Sequence, residues 1–451
     1  MPSPNNKTNR KAILAKLNGE MAEAKVDKQV DDEIRYLGYY DSKGDKKIVC
    51  NTENIRRMLE GDERFAGTIR YDDFSECLQV RKQDQWCDYE DGDDVTYQNT
   101  IASSESAFFK VSKNMVFDAM TVVAYNHRID TAKEYFENLK WDKKPRLNLW
   151  LSTVYGCAPD EYHQRVGSQW LMGAVARTHS GLKHQVVLVL EGDQGTKKST
   201  SLSSFFGSWH IETLIDVSNK DFYQLLQGSM VVEFSEGETL SRSDVKHLKG
   251  VITTENDRYR APYARTTKNH KRRCSFAMTT NQDQYLKDET GNRRWLPVKV
   301  EKIADIAWLE ANRDQLLAEA YYRALVEKEE YWDYDGAIFT EAQESRRVSS
   351  PNEELVMDWW ETIDQETRNE GITILQVWVG AYNSGARMGA TMKKYEEMEI
   401  ADILKRVLKL DRERRMLDNS RKWRWFESEE SKIVSKAVLT KKVIDGEVDD
   451  F

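Results

Sequence analysis

The sequence predicts an α/β chain of several domains built around a nucleotide site, and three observations carry that expectation. An unbroken apolar run, Gln185-Val186-Val187-Leu188-Val189-Leu190-Glu191, leads directly into Gly192-Asp193-Gln194-Gly195-Thr196-Lys197-Lys198-Ser199-Thr200. Such a run reads as a buried strand, a phosphate-cradling loop and the first turn of a helix. Two further apolar strands follow it, Gly228 to Phe234 and Cys274 to Met278, each ending in polar groups. Finally, 451 residues exceed what one hydrophobic core usually organises, and the helical period breaks at Trp141 to Leu147 and again at Arg346 to Pro351.

Taken in order, residues 1–50 are expected to form a flexible arm, within which Lys11 to Lys28 has the pattern of one amphipathic helix. Residues 51–140 read as a small mixed domain whose charges give no catalytic pattern. A helix opens there at Thr52, with Thr52 as its cap, and short strands are expected at Thr68 to Tyr71 and Cys77 to Val80. Helices follow at Met115 to Tyr125 and Thr131 to Leu139. Residues 141–345 hold helices at Leu149 to Val154 and Glu161 to Arg177, then the nucleotide stretch with alternating strands and helices, and a last helix from Trp308 to Tyr331. Alternation of this kind is the pattern of a mostly parallel, layered sheet.

Residues 352–430 begin with an apolar helix at Leu355 to Ile363. Thr373 then caps Ile374 to Tyr382, and Thr391 precedes a helix running to Leu410. Strands follow at Arg414 to Leu417 and Lys422 to Glu427, an order that predicts a winged-helix-like DNA-binding domain ahead of a tail at 431–451.

Composition narrows the function classes. Apolar residues make up 39% and aromatics 10%, as in a folded protein, whereas 67 Lys and Arg against 76 Asp and Glu leave a net charge of -9. Any nucleic-acid contact must therefore use local basic patches. Five cysteines without a C-x-x-C pair argue against structural zinc and suit a reducing compartment. The polar N-terminus and the lack of a long apolar run lead us to expect a cytoplasmic protein with no membrane partner.

The loop Gly192 to Thr200 departs at one position from G-x-x-x-x-G-K-[ST], with Lys197 where the second glycine belongs, while Gly192, Lys198 and Ser199 keep the spacing. In such a loop backbone N–H groups of Asp193 to Thr200 point at phosphates, Lys198 reaches their outer oxygens and Ser199 serves Mg²⁺. Either Lys197 sits at left-handed angles, at a cost of roughly 1 kcal/mol or more, or it lies at helical angles where the cost is small.

The remaining parts of an NTPase are expected in order. In Val231-Val232-Glu233-Phe234-Ser235-Glu236, Glu233 is the candidate metal ligand and Glu236 the group that activates water, roles the two carboxylates can exchange. Asn281, at the end of the next strand, can touch the γ-phosphate or the attacking water and report hydrolysis to the rest of the domain. Arg293 and Arg294, in Gly291-Asn292-Arg293-Arg294-Trp295, are candidate arginine fingers, with ordinary surface charge as the plain alternative. The most basic segment, Asp257 to Arg273, predicts a hairpin with Lys268, Asn269, His270 and Lys271 near its tip, gripping a nucleic-acid backbone or simply solvated.

Together these motifs resemble the virulence-associated protein E family of phage, plasmid and genomic-island ATPases, which is similar to the superfamily 3 helicases of the AAA+ class. The resemblance rests on Leu188 to Ser199, Val232 to Glu236, Asp257 to Arg265, Thr279 to Asn281 and Gly291 to Trp295, and also on Trp141-Asp142 with Pro145-Arg146. It implies an AAA+ P-loop NTPase core in residues 141–345 that hydrolyses ATP with Mg²⁺ between the subunits of a ring, expected to be hexameric. Arg293 or Arg294 would come from the neighbouring subunit, and Lys268 to Lys271 would line the channel. The implied activity is an ATP-dependent DNA helicase or translocase in mobile-element replication, working with a separate primase. The alternatives are an NTP-dependent initiator or defence ATPase that does not unwind DNA, and a non-hydrolysing scaffold.

Overall fold

The computed structural model describes residues 36–90, 92–104, 110–213, 222–235, 237, 242–259, 267–286, 292–348, 351–382, 391–417 and 420–427. The expected arm helix, Glu236, residues 260–266 of the basic segment and the tail 431–451 lie outside the described residues. Two compact units divide the chain, one reaching Arg346 and the other beginning at Arg347.

In the first unit, β1 (Gly38–Tyr40) pairs with β2 (Lys46–Ile48), and a four-stranded sheet follows. Its strands β3 (Ile69–Asp72), β4 (Cys77–Lys82), β5 (Gln85–Asp88) and β6 (Arg128–Ile129) run in the order β5-β4-β3-β6. The helices Thr52–Gly61 and Lys113–Asn126 bury Ile55, Met58, Leu59, Val116, Met120 and Val123 with Ile69 and Val80 of the sheet. Asn51, rather than Thr52, caps the first helix: its Oδ1 accepts from the backbone of Asn54 at 2.8 Å, which leaves Thr52 as the first helical residue. The strand Gln85–Asp88 and the helix Asp93–Ser104 were not expected from sequence.

The larger sheet holds β7 (Val187–Glu191), β8 (His210–Thr213), β9 (Val231–Phe234), β12 (Ser275–Thr280) and β13 (Trp295–Lys299) in the order β13-β7-β12-β9-β8. Every pairing is parallel. Parallel sheets are covered on both faces, which explains why these strands read as continuous apolar runs. On one face Leu188, Leu190, Ala277, Leu296 and Val298 pack with Trp170, Leu171, Phe205, Leu309 and Leu316. On the other, Val187, Val189, Val232, Phe234, Phe276 and Met278 pack with Leu248 and Ile252. Alternate residues of one strand thus enter two different cores.

The expected junction near Trp141 falls within the first of these cores. Ala132 and Phe136, ahead of the junction on the helix Thr131–Asn138, belong to the same cluster as Trp150 and Trp170. The segment is fastened to the helix Ile306–Tyr321, where buried Glu319 accepts from the backbone of Arg146 at 2.6 Å and of Leu147 at 3.1 Å. That helix ends at Tyr321 and passes into a π-helical turn, Tyr322–Val326, short of the expected Tyr331.

The strands β10 (Asn256–Tyr259) and β11 (Lys268–Lys271) form an antiparallel hairpin beside the sheet. The second unit contains the helices Pro351–Thr362, Gln365–Glu370, Ile374–Ala381 and Lys394–Arg406, followed by the antiparallel ribbon β14 (Asp411–Leu417) and β15 (Ser420–Phe426). Thr373 and Gln376 cap Ile374–Ala381 reciprocally, and Val356, Trp360, Val377, Ile400, Ile403, Leu404 and Trp425 make the core. Among the described residues no helix is long and apolar enough to cross a membrane.

Candidate active site

The loop after β7 turns where the sheet ends. Gly192 has φ +147°, and a Cβ there would stand 2.8 Å from the carbonyl oxygen of Val300, so both its angle and its close approach require glycine. Lys197 adopts φ 62° and ψ 36°, left-handed angles that resolve the two sequence readings in favour of the strained one. A lysine in this conformation costs roughly 1–2 kcal/mol. The helix Lys198–Phe206 starts at the next residue, and no side chain caps it, so the N–H groups of its first turn have no intrahelical acceptor.

The Lys198 ammonium is folded back onto the loop. It donates to the carbonyl oxygens of Gly192 at 2.6 Å and Asp193 at 2.9 Å and to Asn281 Oδ1 at 3.0 Å. These are acceptors that an incoming phosphate would compete with for the same cation. Asn281 follows β12, the strand beside β7, so parallel pairing brings the amide to the lysine.

Ser199 faces β9. Its hydroxyl donates to Glu233 Oε1 at 2.5 Å, and Thr279 donates to the same oxygen at 2.8 Å. His210 Nε2, from β8, holds Oε2 at 2.9 Å. Glu233 is fully buried, yet its carboxyl lies below its ordinary value. Burial alone would raise it, and the hydrogen bonds from His210, Ser199 and Thr279 together outweigh that effect. The buried group is therefore an anion.

Lys198, Ser199 and Asn281 line a cavity of about 650 Å³ with Gln194, Lys197, Glu212 and Thr279, among others, while Glu233 is buried and reaches it through its hydrogen bonds to Ser199 and Thr279. The cavity lies outside the carboxyl ends of parallel strands, the usual place for a ligand in an open α/β sheet. Ser199 Oγ and Glu233 supply hard oxygen donors of the type Mg²⁺ takes, and Mg²⁺ keeps most of its shell as water and phosphate. Among the described residues no group of three His, Cys, Asp or Glu is placed to hold a metal ion.

Of the expected site residues, the structure brings together Gly192 to Thr200, Glu233 and Asn281. It places Arg293 and Arg294 elsewhere. They occupy a 3₁₀ turn just before β13, whose Trp295 pairs with Val187 while Lys299 pairs with Glu191. The arginines therefore stand at the amino end of the sheet, about 13 Å of strand rise away from the loop, and line a second cavity with Lys183, Tyr331 and Trp332. Neither reaches the site of its own chain.

The basic hairpin also differs from expectation. Lys268, Asn269, His270 and Lys271 are not at its tip but form the strand β11, paired to Asn256–Tyr259. His270 is buried, hydrogen-bonded to Glu76 and stacked on Tyr259 at 4.2 Å between ring centroids. Lys271 donates to the carbonyl of Ser180 at 2.7 Å, and Lys268 and Asn269 remain exposed. His210 and Thr279 were missed as site residues. Thr279 had a signal, its place in the strand end before Asn281, whereas nothing in Trp209-His210-Ile211 distinguishes His210 from surface sequence.

A parallel α/β sheet with a glycine-containing loop, a lysine and a buried carboxylate at its carboxyl edge defines the class of this site. Residues 136–354 match the model of the Virulence-associated protein E-like domain. No curated protein matches the chain. Among solved structures, the apo NrS-1 C terminal region (305–718) is similar at 11% identity, over 79% of this chain and 95% of that one, with a TM-score of 0.46. The A form of the same region gives 13% identity over 74% and 82%, with a TM-score of 0.39.

Proposed function

We propose that the protein is an ATP-driven DNA helicase or translocase acting in replication of a mobile genetic element. The observation that carries this reading is the convergence of Lys198, Ser199 and Asn281 on one cavity at the carboxyl ends of β7, β9 and β12, with buried Glu233 hydrogen-bonded to Ser199. Lys198 would exchange the carbonyls of Gly192 and Asp193 for phosphate oxygens, and Ser199 and Glu233 would hold Mg²⁺, which supplies charge neutralisation at the phosphates. Asn281, released from Lys198, would report the γ-phosphate. Glu236, two residues beyond the end of β9, is proposed to orient the attacking water.

Because Arg293 and Arg294 stand at the far end of their own sheet, an arginine at this site would come from another copy. A site shared between subunits of a ring, hexameric by family resemblance, supplies that geometry. Residues 51–140 would form a collar, β11 and the segment before it would face DNA, and residues 352–430 would make a further DNA contact as a winged helix. A separate primase is the expected partner. Nucleotide binding without hydrolysis draws support from strained Lys197, but the ionised Glu233 held by three donors favours a hydrolytic site.

The reading is tested by steady-state ATP hydrolysis with a forked DNA substrate. Unwinding coupled to hydrolysis is expected; DNA-stimulated hydrolysis with no unwinding would replace the helicase by a switch that only binds DNA.

A further inference from the structure

The ribbon β14–β15 sorts its side chains by charge. Residues facing one another across an antiparallel pair share a face, and alternate residues change face. Arg412 pairs with Trp425, Arg414 with Trp423 and Met416 with Arg421, so these six share one face. Asp411 pairs with Phe426, Glu413 with Arg424 and Arg415 with Lys422, so both described carboxylates of the ribbon lie on the other. Two of the three cations of that other face, Arg415 and Arg424, are engaged within the unit. Arg415 bonds Glu413 at 3.0 Å and lies over Phe426 at 3.6 Å, and Arg424 donates to the carbonyl of Gly371 at 2.8 Å.

The first face presents exposed Arg412, Arg414 and Arg421 beside an indole that is 51% exposed. Trp425 of the same strand is 4% exposed and belongs to the core, so of the two indoles on this face it is Trp423 that faces solvent. Arg412 lies 4.7 Å from the Trp423 ring and 5.6 Å from that of Trp425, a stack that holds the outer indole to the buried one. An exposed indole flanked by arginines, in a chain of net charge -9, suits an anionic ligand carrying flat rings.

We propose that this face binds single-stranded nucleic acid, with Trp423 stacking on a base and Arg414 and Arg421 contacting the flanking phosphates. Single strands offer base faces that a duplex keeps within its own stack, and stacking on an aromatic side chain tolerates any base. An acidic peptide would satisfy the arginines but leave the indole without a stacking partner. The inference deepens the DNA-binding part of the proposed function and needs no nucleotide at the β7 loop.

The test uses the full-length chain without nucleotide and measures binding to a labelled oligo(dT) and to an abasic oligonucleotide of the same length. Trp423→Ala is expected to weaken binding to oligo(dT) roughly tenfold and to leave the abasic strand unaffected. Arg414→Gln should weaken both and reduce the salt dependence by about 0.7 in slope, while Lys422→Gln on the opposite face should change neither by more than about twofold. Equal binding of oligo(dT) by Trp423→Ala and the unsubstituted chain overturns the proposal, as does an equal loss on both strands or a loss seen only with duplex. Each of these leaves ATP hydrolysis at the β7 loop standing. Conversely, hydrolysis that survives Lys198→Ala would remove that site and leave the ribbon result intact.

Discussion

At the scale of single residues the account turns on Lys197 and on the carboxylate cluster. Lys197 occupies left-handed backbone immediately before the helix. Lys197→Gly should relieve about 1–2 kcal/mol of strain, offset by the extra freedom of glycine in the unfolded chain, for a net gain of about 0.5–1 kcal/mol in denaturant unfolding. A loss of stability would show that the lysine side chain contributes a contact worth more than the strain. His210 is a positioning residue for Glu233. His210→Gln should lower kcat for ATP about tenfold, the scale of one hydrogen bond to a charged group, with KM little changed. An equal rise in KM would mean that the substitution disturbs the loop itself.

At the scale of elements, the sheet was legible because burial on both faces leaves continuous apolar strands. The runs at Val187–Glu191, Val231–Phe234 and Ser275–Thr280 announce themselves, and so does the loop that follows the first. What sequence could not give was the pairing order. β13-β7-β12-β9-β8 decides that Asn281 reaches Lys198 and that His210 reaches Glu233, and it separates Arg293 and Arg294 from both. Neighbourhood across strands has no local signature, and likewise Lys268 to Lys271 are as basic on a paired strand as they would be on a tip. Within β12, Thr279 ties the strand to Glu233 through one hydroxyl. Thr279→Val, which keeps the shape, should therefore reduce hydrolysis while leaving the unfolding transition within about 2 kcal/mol of the unsubstituted protein. A larger loss of stability would make Thr279 a structural residue first.

At the scale of the molecule, a buried histidine sets an acid sensitivity and the proposed assembly has its own test. His184 is buried and its pKa is pushed down to about 3, by burial first and then by the Arg177 cation. In the unfolded chain it takes up a proton below about 6.5, so its contribution to stability is complete above that pH and is lost progressively as the pH falls toward 3. The unfolding midpoint should decline between pH 7 and 5, and His184→Asn should flatten the decline. An unchanged slope would assign the acid sensitivity to other groups. The proposed sharing of arginines between copies makes a prediction about mixed chains. A mixture of Lys198→Ala and Arg293→Ala chains, each inactive alone, should recover part of the hydrolysis, because some interfaces then join an intact loop to an intact arginine. The most direct measurement of the central claim is ATP hydrolysis by the full chain with and without single-stranded DNA, beside Lys198→Ala. The account predicts hydrolysis that DNA stimulates and that Lys198→Ala abolishes while DNA binding persists; hydrolysis undiminished in Lys198→Ala would contradict it.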